Sequence, residues 1–535
     1  MYTSILISVE HITSTMNCLS KDNVQFLDLP DELILIIMNK VKSRVLLLNS
    51  IITIGNNRLE QLALDNCHSI DLTFDYVQSP YETLIQRFYS HIMPHIIDNI
   101  QSLTINIRHI PDIITFAQKN YNGTLPNLTH LKIMIGRQYD QTGTPYTLDT
   151  IGMELYRTFR RSKPLLPIIP QFARRDGRIG SRILSTVRCS PLMRSIISFE
   201  LYDDCILPVV SNPEEFDECV CLLSQLGSQL SSFTISIVYV YAYNSDIIIS
   251  RIASISCPYL KQLTMKIYQN IIHYEQCIVP LLQRLSNVEY LTLLLAIDGT
   301  TSRLNNFVNG FDLEKDILSY MRHLRQFNFH IRTIFENATH IEIDTIRQSF
   351  MKYQQESVDC AVDFFNNNYG QCQIYSLPFI GNRLDFISNR FPLFNMTKTF
   401  SMVTMLLLFD DVKPFENLFF ARIARDLSHL KTLELFNELE QQEKTKVTTN
   451  NIEFTHLSTL ILFDIHMDYA EQFLYRSHLP SLIELAIHED ILLAIITQDQ
   501  QQARNNCSKV EHLVTLETLD DSIDSVRNFF PLAFH

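Results

Sequence analysis

The sequence predicts an α/β fold in which three short helices precede an irregular solenoid of strand–helix units, with a curved parallel sheet lined by outer helices. Three observations predict it: a short apolar pattern recurs along the chain, helical periodicity separates the copies, and the stretch FLDLPDELILIIMNK (26–40) has the features of a helix start. With 46% hydrophobic and 19% charged residues among 535, the chain has ample material for a core.

The recurring pattern places one apolar residue three positions before a second and then alternates apolar with other residues. The clearest copies are Val403, Leu406, Leu408; Leu430, Leu433, Leu435; Leu457, Leu460, Leu462; and Leu482, Leu485, Ile487. Earlier copies lie at 100–105, 125–135, 196–201, 230–235, 260–265, 288–293 and 324–329. The alternating part predicts a strand, because successive side chains of a strand point to opposite faces.

Helical stretches such as ENLFFARIARDL lie between the copies, so each unit is predicted to be a strand plus a helix. Such a unit buries its apolar strand face only by stacking against neighbouring units, which predicts a solenoid. An ordinary α/β domain with buried parallel strands is the alternative that the pattern leaves open.

Two segments, 136–190 and 332–399, contain no clear copy and are interpreted as divergent repeats or inserted loops. The first carries a basic cluster, which could receive an acidic or phosphorylated target or could be a solvated loop. Its members are Arg157, Arg160, Arg161, Lys163, Arg174, Arg175, Arg178, Arg182 and Arg188.

The amino-terminal stretch predicts a helix with an unusually wide apolar face. Pro30 suits a first helical turn, and the acids Asp31 and Glu32 suit its positive end. Apolar residues follow at helical spacing, namely Leu33, Ile36, Ile37 and Val41, with Leu29 just before them. Two more short helices are predicted at 44–54 and 57–66. Since three short helices make only a small core, a partner surface is expected.

These features resemble the F-box. The matching residues are Leu29, Pro30, Glu32, Leu33 and Ile37, followed by Arg58, Leu59, Leu62 and Ala63. Many F-boxes carry a Trp after the Arg, and this chain has none. The repeats resemble degenerate leucine-rich repeats, although the Asn or Cys that usually follows the strand is mostly missing. The resemblance implies an extension at 1–24, an F-box-like helical domain at 25–75 and a leucine-rich-repeat solenoid at 76–535.

The resemblance implies a substrate-recognition adaptor of a Skp–cullin–F-box type ubiquitin ligase, which performs no chemistry itself. The residues expected to bind the Skp-type adaptor are Leu29, Pro30, Glu32, Leu33, Ile36, Ile37, Arg58 and Leu59. The repeats would bind a protein target. The alternative is a leucine-rich-repeat interaction scaffold without a link to ubiquitin, whose first helices cap the open end of the solenoid.

A candidate target surface lies in the last repeats, at strand positions that alternate with the core residues. These positions are Leu407, Phe409, Glu434, Phe436, Ile461 and Phe463. The three Phe are 27 residues apart, so stacked strands would align them in an exposed row. The alternative is that a C-terminal segment or a loop covers the row. Asp410, Asn437 and Asp464 follow each Phe and are expected to cap the next turn.

Composition and motifs exclude several other classes. A net charge of −14 argues against general nucleic-acid binding, and no apolar run reaches the roughly 18 to 20 residues of a membrane span. The first residues lack the basic region of a secretory signal, and eleven irregularly spaced Cys suggest reduced thiols, so a cytoplasmic or nuclear location is expected. Motifs for nucleotides, cofactors, metals and hydrolases are lacking, so neither enzyme activity nor a cofactor is expected.

Overall fold

Parallel strands that alternate with helices make up most of the fold. The structure, a computed structural model, describes residues 26–533 except for 41–43, 53–54, 66–68, 73–86, 107–109, 123–124, 136–195, 204–214, 238–244, 272, 300–305, 339–340, 351–356, 367, 392–398, 443–451 and 516–522. Over those residues the fold is mixed α/β with parallel sheets and without a closed barrel. The predicted α/β class is confirmed at this level. The basic cluster and the rest of 136–190 lie outside the described residues.

The chain forms two compact units, of which the first is Met1–Thr104 with Leu125–Leu128. Its described helices and strands are α1 (Asp31–Lys40), α2 (Arg44–Ile52), α3 (Asn57–Asp65), β1 (Ser69–Leu72), α4 (Met93–Ile96) and most of β2 (Ser102–Asn106). The three predicted helices therefore form. Helix α1 begins after Pro30, whose carbonyl accepts hydrogen bonds from the amides of Leu33 and Ile34, both at 3.1 Å. Helix α3 packs against α1 and α2, and α2 packs against β1.

The second unit comprises Ile105–Thr124 and Thr129–His535. Its first sheet is built from β3 (His130–Ile135), β4 (Ser198–Asp203), β5 (Ser232–Ile237), β6 (Gln262–Ile271), β7 (Tyr290–Asp298) and β8 (Gln326–Glu336). The helices of this region are α5 (Ile110–Tyr121), α6 (Glu215–Leu226), α7 (Ser245–Ser254), α8 (Val279–Arg284), α9 (Gly310–Asp316) and α10 (Ile343–Ser349).

Strands β3 to β8 lie side by side in chain order and are all parallel. The apolar pattern sets their register, because corresponding pattern residues pair across the sheet. One such row is Leu131, Phe199, Phe233, Leu263, Leu291 and Phe327. We call the sheet side that carries these residues the helix face and the opposite side the inner face.

An antiparallel hairpin ends the first sheet. Its strands β9 (Ser357–Phe364) and β10 (Tyr369–Leu377) pair with each other, and β10 also pairs antiparallel with β8. The segment 332–399, which has no clear copy of the pattern, thus holds the end of β8, this inserted hairpin and the first strand of a second sheet. The hairpin turn follows Phe364 and leads into Tyr369.

The second sheet is also parallel and follows the order β11 (Arg383–Ile387), β12 (Met405–Phe409), β13 (Thr432–Asn437), β15 (Thr459–Ile465), β17 (Glu484–Ile487) and β18 (His512–Val514). The short strands β14 (Ile452–Glu453) and β16 (Ser477–His478) pair separately. The helices are α11 (Asn417–Asp426), α12 (Met467–Leu474), α13 (Glu489–Gln498), α14 (Gln501–Cys507) and α15 (Ile523–Phe529). Pattern residues Leu406, Leu433, Leu460 and Leu485 align and share one core with helix residues such as Phe420 and Phe473.

Candidate functional site

Helix α1 has two apolar sides, and only one of them is used inside its own unit. Ile34 and Met38 are buried, whereas Leu33 is 46% exposed and Ile36 is 55% exposed. Leu27, just before the helix, is exposed as well. Because a helix turns every 3.6 residues, the run of Leu and Ile covers more than the face that packs inward. We call the exposed side, with Leu27, Leu33 and Ile36, the α1 face.

The other residues predicted to bind an adaptor differ in exposure. Pro30 and Glu32 are exposed, and Leu29 and Ile37 are half-buried. Leu59 is only 3% exposed, so it serves the core of the unit and does not belong to the α1 face. The sequence could not separate Leu59 from the others because α3 is apolar on the side that packs against α1 and α2.

Arg58 holds the start of α1 in place. Its Nη1 donates to the carbonyl oxygen of Leu27 at 2.6 Å, its Nη2 donates to that of Leu29 at 2.7 Å, and its Nε donates to Asp31 Oδ1 at 2.8 Å. The pair with Asp31 is about half exposed and contributes little by itself. The two carbonyl contacts fix the turn before α1, so Arg58 positions the α1 face. This internal role was not predicted from the sequence.

The predicted target surface of the second sheet is buried, so the prediction of an exposed Phe row is wrong. None of its members, Leu407, Phe409, Glu434, Phe436, Ile461 and Phe463, is more than 9% exposed. The five apolar members pack with Ile334 of β8 and with Phe365 and Tyr369 at the hairpin turn. The cover was expected from a loop or a C-terminal segment, and the described cover includes the hairpin turn. A row of large apolar side chains favours such a cover because it removes them from water.

The predicted alignment of the row holds in part. Phe409 pairs in register with Phe436, but a register shift follows on β15, where Asp464 has a positive φ of 47°. Glu434, the polar member of the row, acts on Arg383 at the start of β11. Burial works against the charge of Arg383, but the carboxylates of Asp385 and Glu434 outweigh it, so the Arg383 pKa is raised.

The turn caps predicted after the Phe residues are confirmed for two positions. Asp410 Oδ1 accepts from the amides of Val412 at 2.8 Å and Lys413 at 3.1 Å. Asn437 Oδ1 accepts from the amide of Leu439 at 2.8 Å. Both are local side-chain turns, which sequence spacing can identify.

Polar contacts join the hairpin to the second sheet. We call the contacts among Asp363, Ser388, Arg390 and Asp410 the clasp. Arg390 Nη1 donates to the carbonyl oxygen of Phe364 at 2.7 Å, and the guanidinium lies 3.6 Å from both Asp363 Oδ1 and Asp410 Oδ1. Ser388 Oγ donates to Asp363 Oδ1 at 2.8 Å. Burial raises the pKa of Asp363 even though Ser388 and Arg390 lower it in part. The clasp therefore contains nearly buried carboxylates whose negative charge is compensated by Arg390.

Two glutamines join the sheets at the same place. Gln371 Nε2 donates to the carbonyl oxygen of Phe386 at 3.0 Å, and Gln373 Nε2 donates to that of Asp385 at 3.1 Å. His330 lies beside them, with its Nε2 2.9 Å from Gln373 Oε1, and burial lowers its pKa to about 4. A buried neutral imidazole in an amide network is a packing element, which gives no reason to assign it acid–base chemistry.

The inner face of the first sheet is different near the strand starts, where it is polar and half-buried. Further along the strands the same face is buried, as at Ser236, Leu294 and His330. Thr234, Thr264, Thr292 and Asn328 occupy one row on adjacent strands, and each is partly exposed. The same face carries Lys132, Glu200, Ser236 and Lys266. The sequence carried a signal for this face, since Thr recurs at the same strand position in SFTISI, QLTMKI and YLTLLL.

Among the residues that the structure describes, one group of His, Glu and Asp has the composition of a metal site. His488, Glu489 and Asp490 have ligand atoms within 4.8 Å of one another. The group sits at the start of α13, where the positive helix end disfavours a cation, and His488 Nδ1 already accepts from the Asp490 amide at 3.4 Å. We assign no metal to it.

Comparison with known families and curated proteins does not assign this chain to a family, so its function is inferred from the fold and the surfaces. No profile of a known protein family matches the chain, and no curated protein is significantly similar to it. Within the described ranges, no helix is both long and apolar enough to cross a bilayer. The class that these observations define is an α/β protein of stacked parallel strands. Its described part has two accessible surfaces of different chemistry, the apolar α1 face and the polar Thr row on the inner face of the first sheet.

Proposed function

We propose that this protein is the substrate-recognition adaptor of a Skp–cullin–F-box type ubiquitin ligase. In this proposal residues 25–75 act as the F-box, and the strand–helix units act as a leucine-rich-repeat solenoid that binds a protein target. The single observation that carries the proposal is the α1 face, where Leu33 and Ile36 remain exposed on a helix whose other side is buried.

The energetics of the α1 face favour a partner. Burying a Leu or Ile side chain fully contributes about 1.5–3 kcal/mol, so two exposed side chains on one helix hold a substantial unused driving force. Arg58 fixes the turn that leads into the helix, which reduces the conformational entropy lost on binding. A helix that docks one apolar face into a groove is a common mode of protein recognition.

The test is adaptor binding by the full-length chain. We expect the wild type to bind a Skp-type adaptor, and Leu33→Asp combined with Ile36→Asp to weaken binding about a hundredfold, because each 1.4 kcal/mol corresponds to tenfold. The matched control is Leu418→Asp on α11, since Leu418 is 58% exposed but far from residues 25–75 in sequence. Absence of binding by the wild type, or unchanged binding by the double variant, would refute the proposal.

A second candidate is an interaction scaffold without a ubiquitin link. The packing of α2 against β1 favours it, because helices that cover the end of a strand array also protect its edge. The two candidates separate in the same experiment. A scaffold loses stability when the first helices are disrupted, but it does not bind the adaptor.

A further inference from the structure

We propose that the turns before strands β12, β13 and β15 form a Cu(I) site, with His429 and His456 as imidazole ligands and Met402 as a thioether ligand. The site belongs to the second unit, whereas the α1 face that carries the proposed function belongs to the first. It therefore goes beyond the proposed function and does not rest on it.

One tight turn is repeated before each of the three strands. In each turn the amide of a core residue donates to a carbonyl oxygen three residues earlier, at 3.0, 3.0 and 3.4 Å, and the donors are Val403, Leu430 and Leu457. The residue before each donor thus occupies the same place in every turn. These residues are Met402, His429 and His456, spaced by 27 residues. A local metal motif could not reveal ligands so far apart in the chain.

Neighbouring units bring the equivalent positions side by side. Directly after the turns, the amide of Lys431 donates to the carbonyl oxygen of Thr404 and the amide of Ser458 donates to that of Lys431, both at 2.8 Å. The imidazoles of His429 and His456 accordingly stack, with ring centroids 6.1 Å apart and 24° between the ring planes. The structure thus pairs the two histidines directly.

All three side chains are open to solvent. Met402 is 64% exposed, and both histidines are exposed. Within the described residues, no hydrogen bond or ion pair occupies the imidazole of His429 or His456. The repeat places Met402 one strand spacing, about 4.8 Å, from His429. Because Met is normally a buried residue, its exposure here indicates a role other than packing.

The spacing suits a shared metal ion. Two ligands of one ion lie at most about 4 Å apart, because each is about 2 Å from the metal. Imidazoles with centroids 6.1 Å apart reach that separation when a ring nitrogen of each turns toward the other. The χ2 torsion of His is broad, so exposed rings can make this turn. Met402 has a flexible unbranched side chain and can complete a three-coordinate site beside His429.

The ligand set selects Cu(I). Thioether sulfur is a soft ligand that favours Cu(I), whereas zinc takes imidazole, thiolate and carboxylate ligands. The turns at 400–403, 427–430 and 454–457 contain no acidic residue that would favour a harder cation. The charge of Lys431, two residues after His429, also repels a monovalent ion less than a divalent one.

The test is an anaerobic Cu(I) titration of the full-length chain, in competition with the chromophoric chelator bicinchoninate. Accessible thiols are first blocked with N-ethylmaleimide, because a thiolate would compete for Cu(I). The variants are His429→Ala, His456→Ala and Met402→Leu. The matched control is His478→Ala, which removes a half-exposed histidine beside Glu453. Circular dichroism verifies that each variant is folded.

We expect one Cu(I) per chain and a loss of affinity of at least about tenfold in either variant of His429 or His456, since even outer partners of a metal change its affinity by about 10- to 100-fold. Met402→Leu should weaken Cu(I) binding by a similar factor and leave Ni(II) binding, which needs only the imidazoles, unchanged. Unchanged Cu(I) affinity in both histidine variants, or an equal loss in His478→Ala, would overturn the site. Unchanged Cu(I) affinity in Met402→Leu would overturn its assignment to Cu(I).

Discussion

The two parallel sheets of the second unit share one apolar pattern on their helix faces but have opposite inner faces. In the first sheet the inner row near the strand starts is Thr234, Thr264 and Thr292, which are partly exposed, whereas inner positions further along, such as Leu294, are buried. In the second sheet the corresponding side is apolar and buried, as at Phe436 and Ile461. The comparison shows that the repeating pattern fixes the strands and the helix face, whereas the residues between pattern positions decide whether the other face is open or covered.

The hairpin at the end of the first sheet separates the open inner row of that sheet from the covered inner face of the second sheet. Its turn residues Phe365 and Tyr369 pack on the second sheet, and Phe365 meets Phe409 edge-to-face with ring centroids 5.2 Å apart. The second sheet has thus become a two-sided core, and the first sheet retains an accessible row at Thr234, Thr264 and Thr292. Binding is expected on the first sheet.

The largest expected effect on stability comes from a substitution in the covered inner face of the second sheet. Phe436→Ala should lower the free energy of unfolding by about 3–5 kcal/mol, because a buried aromatic side chain leaves a cavity. Tyr290→Ala is the matched control on the inner face of the first sheet, where Tyr290 is 43% exposed, and it should cost less than about 1 kcal/mol. Chemical denaturation measures both. Equal losses in the two variants would show that the two faces do not differ as described.

The next largest expected effect on stability comes from removing Arg390, the cation of the clasp. Arg390→Ala should destabilise the protein by about 3 kcal/mol, because Asp363 and Asp410 stay buried without their cation. Adding Asp363→Asn to that variant should recover part of the loss, since it removes one of the two carboxylates. Arg476→Ala, which breaks a more exposed pair with Glu471, is the control and should leave the denaturation midpoint nearly unchanged. A double variant no more stable than Arg390→Ala would contradict this account.

A smaller effect should appear in the pH dependence of stability. The pKa of Asp363 is raised above the value of about 3.9 that an unfolded aspartate has, so its contribution to stability is present below that pH and is lost as pH rises through the raised pKa. Asp363→Asn removes this term. The variant should therefore become more stable relative to the wild type as pH rises above about 4, as thermal unfolding at several pH values would reveal. A constant difference across that range argues against the raised pKa.

The smallest effect is expected on the polar face. Thr264→Val should change the free energy of unfolding by less than about 0.5 kcal/mol, because a β-branched residue remains in the strand and the hydroxyl faces an accessible surface. Urea denaturation is sufficient to measure it. A loss above about 2 kcal/mol would mean that the Thr row is a buried network and not a binding surface.

The features that the sequence predicted correctly depend on interactions between residues that are close together in the chain. The α/β class, the strands, the three first helices and the caps by Asp410 and Asn437 all depend on residues a few positions apart. The burial of Phe409 depends on Phe365, which lies on a hairpin that the repeat pattern does not contain. Long-range cover of this kind leaves no periodic trace in the sequence.

The exposure of individual surface residues likewise could not be predicted from the sequence pattern alone. The wide apolar side of α1 was visible as an excess of Leu and Ile, but its division into buried Ile34 and exposed Leu33 required the packing of α3. Leu59 matched a motif position and nonetheless serves the core. The stacking of His429 on His456 needed the register of two strands 27 residues apart, which the spacing of the pattern gives only once the strands are known to be parallel neighbours.

Gln371 and Gln373 have a consequence for how such a chain can lengthen. Backbone pairing demands a fixed strand spacing and register, but a glutamine side chain has three rotatable bonds and reaches a carbonyl over a range of distances and angles. The carbonyls of Asp385 and Phe386 are satisfied through these flexible amides, and β10 and β11 belong to separate sheets. Such a seam tolerates differences in strand spacing and register between the two sheets. In evolutionary terms, units can be gained or lost on either side of the seam without forcing the other block to re-register.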